Sequence, residues 1–393
     1  MDLAAIQSEL REAGLDGWLF CDFHHRDLMA YRILGLDDSK MTTRRWFYLI
    51  PAEGQPSKLS HRVEAGRLDA LPGKQQHYLA WTELHEQLKR MLGGSGKLAM
   101  QYSPMNNIPY VSVVDAGTVE LVRSFGVEVV TSADLIQKFE SVTDDDGYRS
   151  HCEAGDAVQR IKDEAFSLLD KAVRDSGPIT EYDVRNFILT RFEEQGLTTD
   201  GDSPIVGFND HPADPHFEPQ EKGTYSLYHG DTILIDLWAR EKQPPGIYYD
   251  ITWCGAVGEK PAALYQEIFG VVCSARDAAL ELVTRRFERG QPCRGCELDE
   301  AARQVVVAAG HGEAFLHRTG HSIGRRVHGN GANIDNLETR DDRMLLPGTC
   351  FSIEPGIYLP GRMAVRTEIN VFITPAGSVE VSGAIQRELV LIG

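Results

Sequence analysis

Four acidic residues stand in apolar, strand-like segments of this sequence, and they form two pairs with the same spacing. Asp236 and Asp250 are fourteen positions apart, and so are Glu354 and Glu368. Proline and glycine lie between the members of each pair and indicate a turn. Each pair is therefore predicted to lie face to face across a β-hairpin, where the Cβ atoms of opposed residues are ~5 Å apart.

Two carboxylates placed in this way need a compensating charge. At ~5 Å and an effective dielectric constant of ~20 they repel each other by about 3 kcal/mol, and burial without a partner costs more. A shared proton would relieve one pair but does not explain four acids. A single acid could instead face water from the open side of an antiparallel sheet. Two hairpins with equal spacing favour bound cations.

A histidine cluster supplies the nitrogen ligand that such a site needs. Residues 317–329 contain three histidines, with glycines at positions 320, 324 and 329 that allow tight backbone near a site. Imidazole together with carboxylates suits Mn, Co, Fe or Zn better than Mg or Ca. Four carboxylates carry four negative charges, which two divalent ions cancel. The sequence therefore predicts a centre of two divalent metal ions.

These motifs resemble, in order, those of the pita-bread metallopeptidases, which include methionine aminopeptidase, aminopeptidase P and prolidase (Xaa-Pro dipeptidase). The resemblance covers about residues 150–393. It implies an α+β protein, with a catalytic pita-bread domain at 148–393 and a smaller α/β creatinase-like domain at 1–147. The family signature stands here as Asp236, Asp250, His-x-x-Gly-His-x-x-Gly at 317–324, Glu-Pro-Gly at 354–356 and Arg-x-Glu at 366–368.

The resemblance also implies a role for each ligand. Asp250 and Glu368 would bridge both metal ions, Asp236 would complete the shell of one ion, and His321 and Glu354 that of the other. A water or hydroxide between the ions would be the nucleophile. Glu354 would take its proton as the general base. The cofactors implied are two ions of Mn, Co or Zn.

Further residues resemble the family's substrate-binding and catalytic groups. His328 and His216 resemble histidines that contact the substrate, and His317 is a third catalytic candidate. Arg340 resembles the arginine that binds the free carboxylate of a dipeptide, for which a guanidinium fork is suited. Arg366 is a second candidate, although in the family it more often supports the last glutamate. A satisfied structural histidine and a surface salt bridge are the alternatives for these residues.

Two positions depart from the family pattern. Leu237 and Trp238 follow Asp236, where the family usually has a small residue or glycine two places after the first aspartate. Asp202 stands where prolidases often carry a tyrosine. A carboxylate cannot replace a phenol, so oxyanion support from that side is not expected.

Composition excludes several classes of protein. The formal charge of −18 argues against nucleic acid, which is bound by clustered Lys and Arg. The chain has no apolar run of about 18 residues and no signal peptide after Met1, so we predict a cytoplasmic protein without a membrane span. The seven cysteines are predicted to be reduced, because the Cys-x-x-Cys at 293–296 lacks the second pair of a zinc ribbon.

Residue patterns predict the elements around the site. In the first part, helices are predicted at 4–13, 81–92 and 118–125, and strands at 17–21, 97–101 and 127–130. The polar segment 143–147 marks the predicted domain boundary. Helices at 153–174, 181–195, 261–283 and 298–309 follow, with strands at 232–238, 247–253, 349–355 and 363–372.

The predicted function is hydrolysis of the bond before proline in Xaa-Pro dipeptides, with Arg340 favouring dipeptides over longer chains. This bond is a tertiary amide without an N–H, so peptidases that dock an extended backbone handle it poorly. The first alternative is aminopeptidase P chemistry on longer peptides. A creatinase-like amidohydrolase or a metal-free binding module of the same fold is the second. The resemblance also implies a homodimer.

Overall fold

The computed structural model describes residues 1–393, which form two compact units, Met1–Glu140 and Ser141–Gly393. The predicted boundary, between residues 147 and 148, lies inside the helix Asp145–Arg174. The polar segment that suggested a linker is the start of this helix, because the Asp144 side chain accepts a hydrogen bond from the Gly147 N–H. Acidic residues favour a helix N-terminus, where they interact with the helix dipole.

The N-terminal unit is an α/β domain with one six-stranded sheet. Strands β1, β5 and β6 are parallel, and β2 and β3 continue the sheet on the other side of β1 with β4 at the edge. Its helices are α1 Leu3–Glu12, α2 Leu28–Leu34, α3 Trp81–Met91, α4 Ala116–Arg123 and α5 Ala133–Glu140. Its strands are β1 Gly17–Asp22, β2 Trp46–Pro51, β3 Ser57–His61, β4 Lys74–Tyr78, β5 Lys97–Met100 and β6 Glu128–Thr131.

Helices cover both faces of this sheet, which explains why its central strands are so apolar. All six residues of β1 are buried. Successive side chains of a strand point to opposite faces, and Trp18 and Phe20 accordingly belong to one hydrophobic cluster and Leu19 and Cys21 to another. The predicted helices and strands of this part are confirmed as α1, β1, α3, β5, α4 and β6. Strands β2 to β4 and helices α2 and α5 were not predicted.

The C-terminal unit combines long helices with several antiparallel sheets, so the whole chain is α+β. Its helices are α6 Asp145–Arg174, α7 Glu181–Glu194, α8 Ala263–Glu288 and α9 Gly295–Ala308. Its first strands are β7 Leu197–Thr198, β8 Ile205–Phe208, β9 Thr232–Glu241, β10 Tyr249–Val257 and β11 Ser322–Ile323. The remaining strands are β12 Cys350–Ile353, β13 Gly356–Leu359, β14 Met363–Arg366, β15 Ile369–Ile373, β16 Val379–Ser382 and β17 Val390–Ile392.

The β9–β10 hairpin separates two hydrophobic clusters. Ile233, Ile235 and Leu237 of β9 pack with buried residues of α6 and α7. Leu234 belongs instead to the cluster formed with α8 and α9. Because side chains alternate along a strand, Asp236 shares the face of Leu234. Because Ile233, Ile235 and Leu237 are buried against α6 and α7, the side chain of Asp236 points to the opposite face of β9. This face is directed toward strands β11 to β15.

The seven cysteines are all free thiols. Cys293 and Cys296, which have Cys-x-x-Cys spacing, are both buried, and burial raises the pKa of each thiol. A raised pKa leaves little of the reactive thiolate, which favours a structural role for this pair. No helix in this structure combines the length and apolar character that a membrane span needs.

Candidate metal centre

The first pair of acids lies on the β9–β10 hairpin, but not in the register predicted from the sequence. Asp236 is paired with Thr252, and Asp250 is paired with Trp238. The prediction that the two acids are directly opposite is therefore wrong by two residues, because the turn is centred one residue later than their midpoint. An offset of two keeps both side chains on the same face, as diagonal neighbours.

The second pair of acids has the predicted face-to-face arrangement. Strands β12 and β15 pair Ile353 with Ile369, and strands β13 and β14 pair Gly356 with Arg366 in the same register. Glu354 and Glu368 occupy the facing positions between these two ladders. The backbone N–H of Glu368 instead donates to the carbonyl of Thr252 at 3.2 Å. This bond joins the second hairpin to the first beside the acids.

His321 meets the acids of both hairpins. Its Nε2 lies 3.5 Å from Asp250 Oδ2 and 3.2 Å from Glu354 Oε1. Its Nδ1 lies 3.2 Å from the carbonyl oxygen of Ser322. A carbonyl only accepts, so Nδ1 carries the proton in the neutral ring and Nε2 keeps a lone pair. This is the arrangement that a metal-binding histidine needs.

The chemistry of the acids fits a bound cation. Asp236 Oδ1, Asp250 Oδ1 and Glu368 Oε1 are buried and have no hydrogen-bond partner. Leaving a buried acceptor unsatisfied costs about 1–3 kcal/mol, and more for a charged group. Ligand atoms of Asp250, His321 and Glu368 lie within 4.8 Å of one another, which is close enough to share an ion. Divalent cations would satisfy these oxygens and cancel their repulsion.

Burial also changes the acidity of these groups in the metal-free protein. It raises the pKa of Asp250 to about 7, against the attraction of Arg366. It raises the pKa of Asp236 to about 6, where Arg366 opposes the shift and the charge of Asp250 adds to it. The pKa of Glu354 is also raised, and that of Glu368 is raised well above its usual range, both mainly by burial.

We expect metal affinity to increase with pH, because carboxylates must lose their protons to bind a cation. With pKa values of about 6 for Asp236 and about 7 for Asp250, the increase should extend through that range. The folding stability of the metal-free protein should instead decrease as the pH rises. Its folded state binds more protons than the unfolded chain, whose Asp pKa is about 3.9, so its stability falls as pH rises from about 4 to 7.

Two titrations test this prediction. Calorimetric titration with Mn²⁺ at pH values from about 5 to 8 gives the affinity, and thermal unfolding of chelator-treated protein over the same range gives the stability. An affinity that stays constant with pH would show that these acids are not the ligands.

Arg366 holds the acids in place through a buried network. It forms an ion pair with Asp236, and its Nε donates to Thr252 Oγ1 at 3.0 Å. Thr252 Oγ1 in turn donates to Glu368 Oε2 at 2.9 Å. The remaining guanidinium nitrogen, Nη1, donates to Tyr358 Oη at 2.7 Å. With its donors directed at protein groups, Arg366 is better placed to support the ligands than to bind substrate.

His317 is connected to this network and not directly to the acids. Its Nε2 lies 2.6 Å from Tyr358 Oη, and burial lowers the pKa of the ring to about 3. Sequence reasoning missed both Tyr358 and Thr252. Thr252 could have been found, since it lies two residues after Asp250 in the same strand and so shares its face. Tyr358 offers no comparable signal.

The other predicted histidines, His328 and His216, are both exposed. The His328 ring lies 4.4 Å from the His321 ring at an angle of 76°. The neighbouring His321 lowers the pKa of His328, so its ring is neutral at physiological pH. His216 is exposed, and its backbone N–H donates to Asp214 Oδ1 at 3.0 Å. The charge of His216 also acts on His328, which indicates that the two rings share one region.

Arg340 forms no ion pair with the acids of the centre. Arg340 is exposed, and its charge acts on the thiol of Cys296 at the start of α9. Asp202, the residue in the position of the missing tyrosine, is also exposed. Trp238, by contrast, is partly buried directly opposite Asp250, and its Nε1 has no hydrogen-bond partner. The departure from the family pattern at Trp238 therefore lies beside the metal ligands.

Comparison with known proteins places this centre in a defined class. Residues 152–375 match metallopeptidase family M24, and this match spans more than half of the chain. The protein therefore belongs to family M24 and is a peptidase, a hydrolase of the kind that binds divalent metal ions. The predicted family, fold and enzyme class are confirmed.

Similar proteins are known over nearly the full length of the chain. The probable dipeptidase PepE of Mycobacterium tuberculosis is 28% identical, with 99% of this chain and 96% of that protein covered. The crystal structure of dipeptidase PepE from Mycobacterium ulcerans superposes with a TM-score of 0.71 at 25% identity, over 99% of this chain and 96% of that one. An Xaa-Pro dipeptidase from Bacillus anthracis shares the fold, with a TM-score of 0.63 at 24% identity over 99% of each chain.

Proposed function

We propose that this protein is a dipeptidase that uses two divalent metal ions to hydrolyse the bond before proline in Xaa-Pro dipeptides. The observation that carries the proposal is the set of three buried carboxylate oxygens without partners, on Asp236, Asp250 and Glu368, beside the free Nε2 of His321. A binding module has no need for this arrangement, which is costly until cations enter it. The two PepE relatives, described as dipeptidases, support a dipeptide substrate.

Each proposed ligand has an oxygen or nitrogen available in the centre. Asp250 and Glu368 would hold both ions, as the family resemblance implies; one carboxylate oxygen of each is unpartnered, and both residues lie close to His321. Asp236 offers Oδ1, while its Oδ2 is engaged by Arg366. Bound Mn, Co or Zn would lower the pKa of a water molecule and polarise the scissile carbonyl.

Glu354 is placed to act as the general base. Its Oε1 accepts a hydrogen bond from Ser352 Oγ at 3.1 Å and lies 3.2 Å from His321 Nε2. The hydrogen bond from Ser352 orients the carboxylate at the edge of the centre, where it is partly exposed. Burial raises its pKa, and a more basic carboxylate is a better acceptor for a proton from water. The same group can then pass the proton to the nitrogen of the leaving proline.

We propose that His328 acts on the oxygen of the scissile carbonyl. His317 is proposed to act on the metal ligands. The low pKa of His328 keeps its ring neutral, so one ring nitrogen can donate a hydrogen bond to a developing oxyanion. His317 acts further away, through Tyr358 and Arg366, and positions Asp236. His216, which is exposed, is proposed to contact the substrate as well.

Three peptides test the substrate class. With added Mn²⁺, we expect Ala-Pro to be hydrolysed with a much higher kcat/KM than Ala-Pro-Ala or Ala-Leu. Efficient cleavage of Ala-Pro-Ala would make the enzyme an aminopeptidase P. Equal cleavage of Ala-Leu would remove the requirement for proline and leave a general dipeptidase. Hydrolysis of none of the three would contradict the proposed function.

Arg340 is the proposed partner of the free carboxylate of the dipeptide. Arg340→Ala should raise KM for Ala-Pro about tenfold or more, since a charge-assisted hydrogen bond contributes about 1.5–3 kcal/mol, and should leave kcat nearly unchanged. Arg362→Ala, at another exposed arginine in the same unit, is the matched control. Unchanged kinetics in Arg340→Ala would remove this residue from the site.

Trp238 is expected to contact the substrate through its indole N–H. This donor is buried without a partner on the face that carries Asp250. Trp238→Phe keeps an aromatic ring and removes the N–H, so we expect KM to rise about fivefold, because one neutral hydrogen bond contributes about 1 kcal/mol. Metal content should not change. The same KM in both proteins would show that the indole N–H does not bind substrate.

We also propose a cytoplasmic homodimer, as the sequence and its family resemblance predict. The seven free thiols agree with a reducing compartment. Light scattering of the purified protein would test the dimer directly, because a mass of 43.7 kDa would identify a monomer.

A further inference from the structure

A cavity of about 830 Å³ lies in the N-terminal unit, and no residue of the metal centre lines it. It is lined by Cys21 and Asp22 at the end of β1 and by Val113 and Val114. The backbone N–H groups of these valines both donate to the carbonyl of Gln101, directly after β5, at 3.0 Å. The cavity therefore lies at the carboxyl ends of β1 and β5. Its volume is typical of sites for small molecules, which measure about 300–1,000 Å³.

The order of the strands explains why a cavity forms at this place. From β1 the chain adds β2, β3 and β4 on one side of the sheet, and it then returns to add β5 and β6 on the other side. The connections after β1 and β5 consequently run in opposite directions and leave a crevice between them. In open α/β sheets, such a reversal at the carboxyl ends of the strands is the usual position of a ligand site.

Asp27, which lines this cavity, has a buried oxygen without a partner. Its Oδ1 accepts a hydrogen bond from the Ala30 N–H at 2.9 Å and caps α2, whereas its Oδ2 accepts none. The residue is only 1% exposed. The neighbouring Asp22 differs, because its oxygens accept from three backbone N–H groups and from the hydroxyl of Tyr31. Burial raises the pKa of Asp27 to about 7, as expected for a carboxylate that lacks a donor.

Two arginines and several apolar groups also line the cavity, together with Glu120 and the polar side chains of His85, Thr118 and Ser124. Arg26 is exposed, with its guanidinium 5.4 Å from the centre of the Phe23 ring, and Arg45 is half-buried. Guanidinium groups at a cavity mouth are suited to a carboxylate. Phe23, Phe47 and the two valines supply apolar surface. Asp115 is already engaged, since it caps α4 through the N–H and the hydroxyl of Thr118.

We propose that this cavity binds a free α-amino acid with an apolar side chain, with its ammonium group on Asp27 and its carboxylate at Arg26 and Arg45. The side chain of the ligand lies against Phe23 and Phe47. An ammonium group supplies the donor that Asp27 Oδ2 lacks, and the rim supplies the opposite charge. This is a second site, and it does not depend on the peptidase activity proposed for the metal centre.

Calorimetric titration of the full-length metal-loaded protein with L-leucine tests the proposal. N-acetyl-L-leucine lacks the ammonium group and L-leucinamide lacks the carboxylate. We expect L-leucine to bind at least about tenfold more tightly than either analogue, since each loses a charge-assisted hydrogen bond of about 1.5–3 kcal/mol. The absence of binding, or equal affinity for the three compounds, would overturn the proposal.

Variants separate this cavity from the metal centre. Asp27→Asn removes the charge but keeps a residue that caps helices well, and it should weaken L-leucine binding about tenfold or more. Asp250→Asn alters the metal centre and should leave L-leucine binding unchanged. The reverse pattern would show that the amino acid binds at the metal centre as a product, and it would contradict the second site.

A further variant avoids any dependence on the folding of Asp27→Asn. Arg26 is exposed, so Arg26→Gln should unfold at the same temperature as the wild type. It is expected to weaken the binding of L-leucine without changing the weak binding of L-leucinamide. If Arg26→Gln binds L-leucine with wild-type affinity, the proposed position of the carboxylate is wrong.

Discussion

Replacing Glu354 with glutamine is expected to lower kcat by roughly 10²–10⁴-fold, the range attributed to a general base. Glutamine has the same shape and can still accept the hydrogen bond from Ser352 Oγ, which lies 3.1 Å from Glu354 Oε1. It cannot take a proton from water. The variant should therefore fold normally and show its defect in kcat more than in KM. Steady-state kinetics with Ala-Pro, together with the metal content of each protein, measure this effect.

The control for this variant is Glu259→Gln, which changes an exposed glutamate outside the centre. It is expected to have wild-type kinetics. Glu354 is also a proposed metal ligand, so the kinetics of Glu354→Gln are to be compared at saturating Mn²⁺. A kcat equal to that of the wild type at full metal loading would contradict the role of Glu354 as the base.

Replacing Asp250 with asparagine is expected to have opposite effects with and without metal. The neutral amide cannot bridge two cations, so bound metal and activity should both be lost. In the metal-free protein, however, Asp250 carries a buried oxygen without a partner, and burial raises its pKa to about 7. Removing this charge relieves a cost of desolvation and of repulsion by nearby acids. The metal-free variant should therefore be at least as stable as the metal-free wild type.

Thermal unfolding with and without Mn²⁺ measures both effects. A ligand present at 100 times its Kd stabilises the folded state by about 2.7 kcal/mol, so the wild type should gain several degrees in Tm. The Tm of Asp250→Asn should not rise when Mn²⁺ is added. Asp342→Asn, at an exposed aspartate, is the control and should behave as the wild type. A metal-free Asp250→Asn that is clearly less stable than the wild type would indicate a structural role for this carboxylate.

Much of the centre could be predicted because its residues lie in short, regular segments. Glu354 and Glu368 face each other as expected, since the ladders on both sides of them have one register. The register of the β9–β10 hairpin was harder to predict from the sequence. Residues 242–248 contain two prolines and a glycine, and the position of the turn within such a loop cannot be read from residue types. An error of one residue in the centre of the turn shifts the residue opposite Asp236 by two positions, from Asp250 to Thr252.

Other features depend on contacts between distant parts of the chain. Tyr358 joins His317 to Arg366, and no local pattern in the sequence indicates this connection. The exposure of Arg340 could not be inferred either, because a charged residue in a polar loop fits a substrate pocket and an open surface equally well. The predicted boundary differs from the division between the two compact units for a local reason, since Asp144 and the acids after it favour both a linker and a helix start.

Metal titration monitored by activity is the most direct test of the central claim. Chelator-treated protein is mixed with increasing Mn²⁺ or Co²⁺, and hydrolysis of Ala-Pro is measured beside the metal bound per chain. We expect activity to return as two ions bind and to stop rising after the second. No bound divalent metal, together with no activation by added Mn²⁺ or Co²⁺, would contradict a metal centre formed by Asp236, Asp250, His321, Glu354 and Glu368.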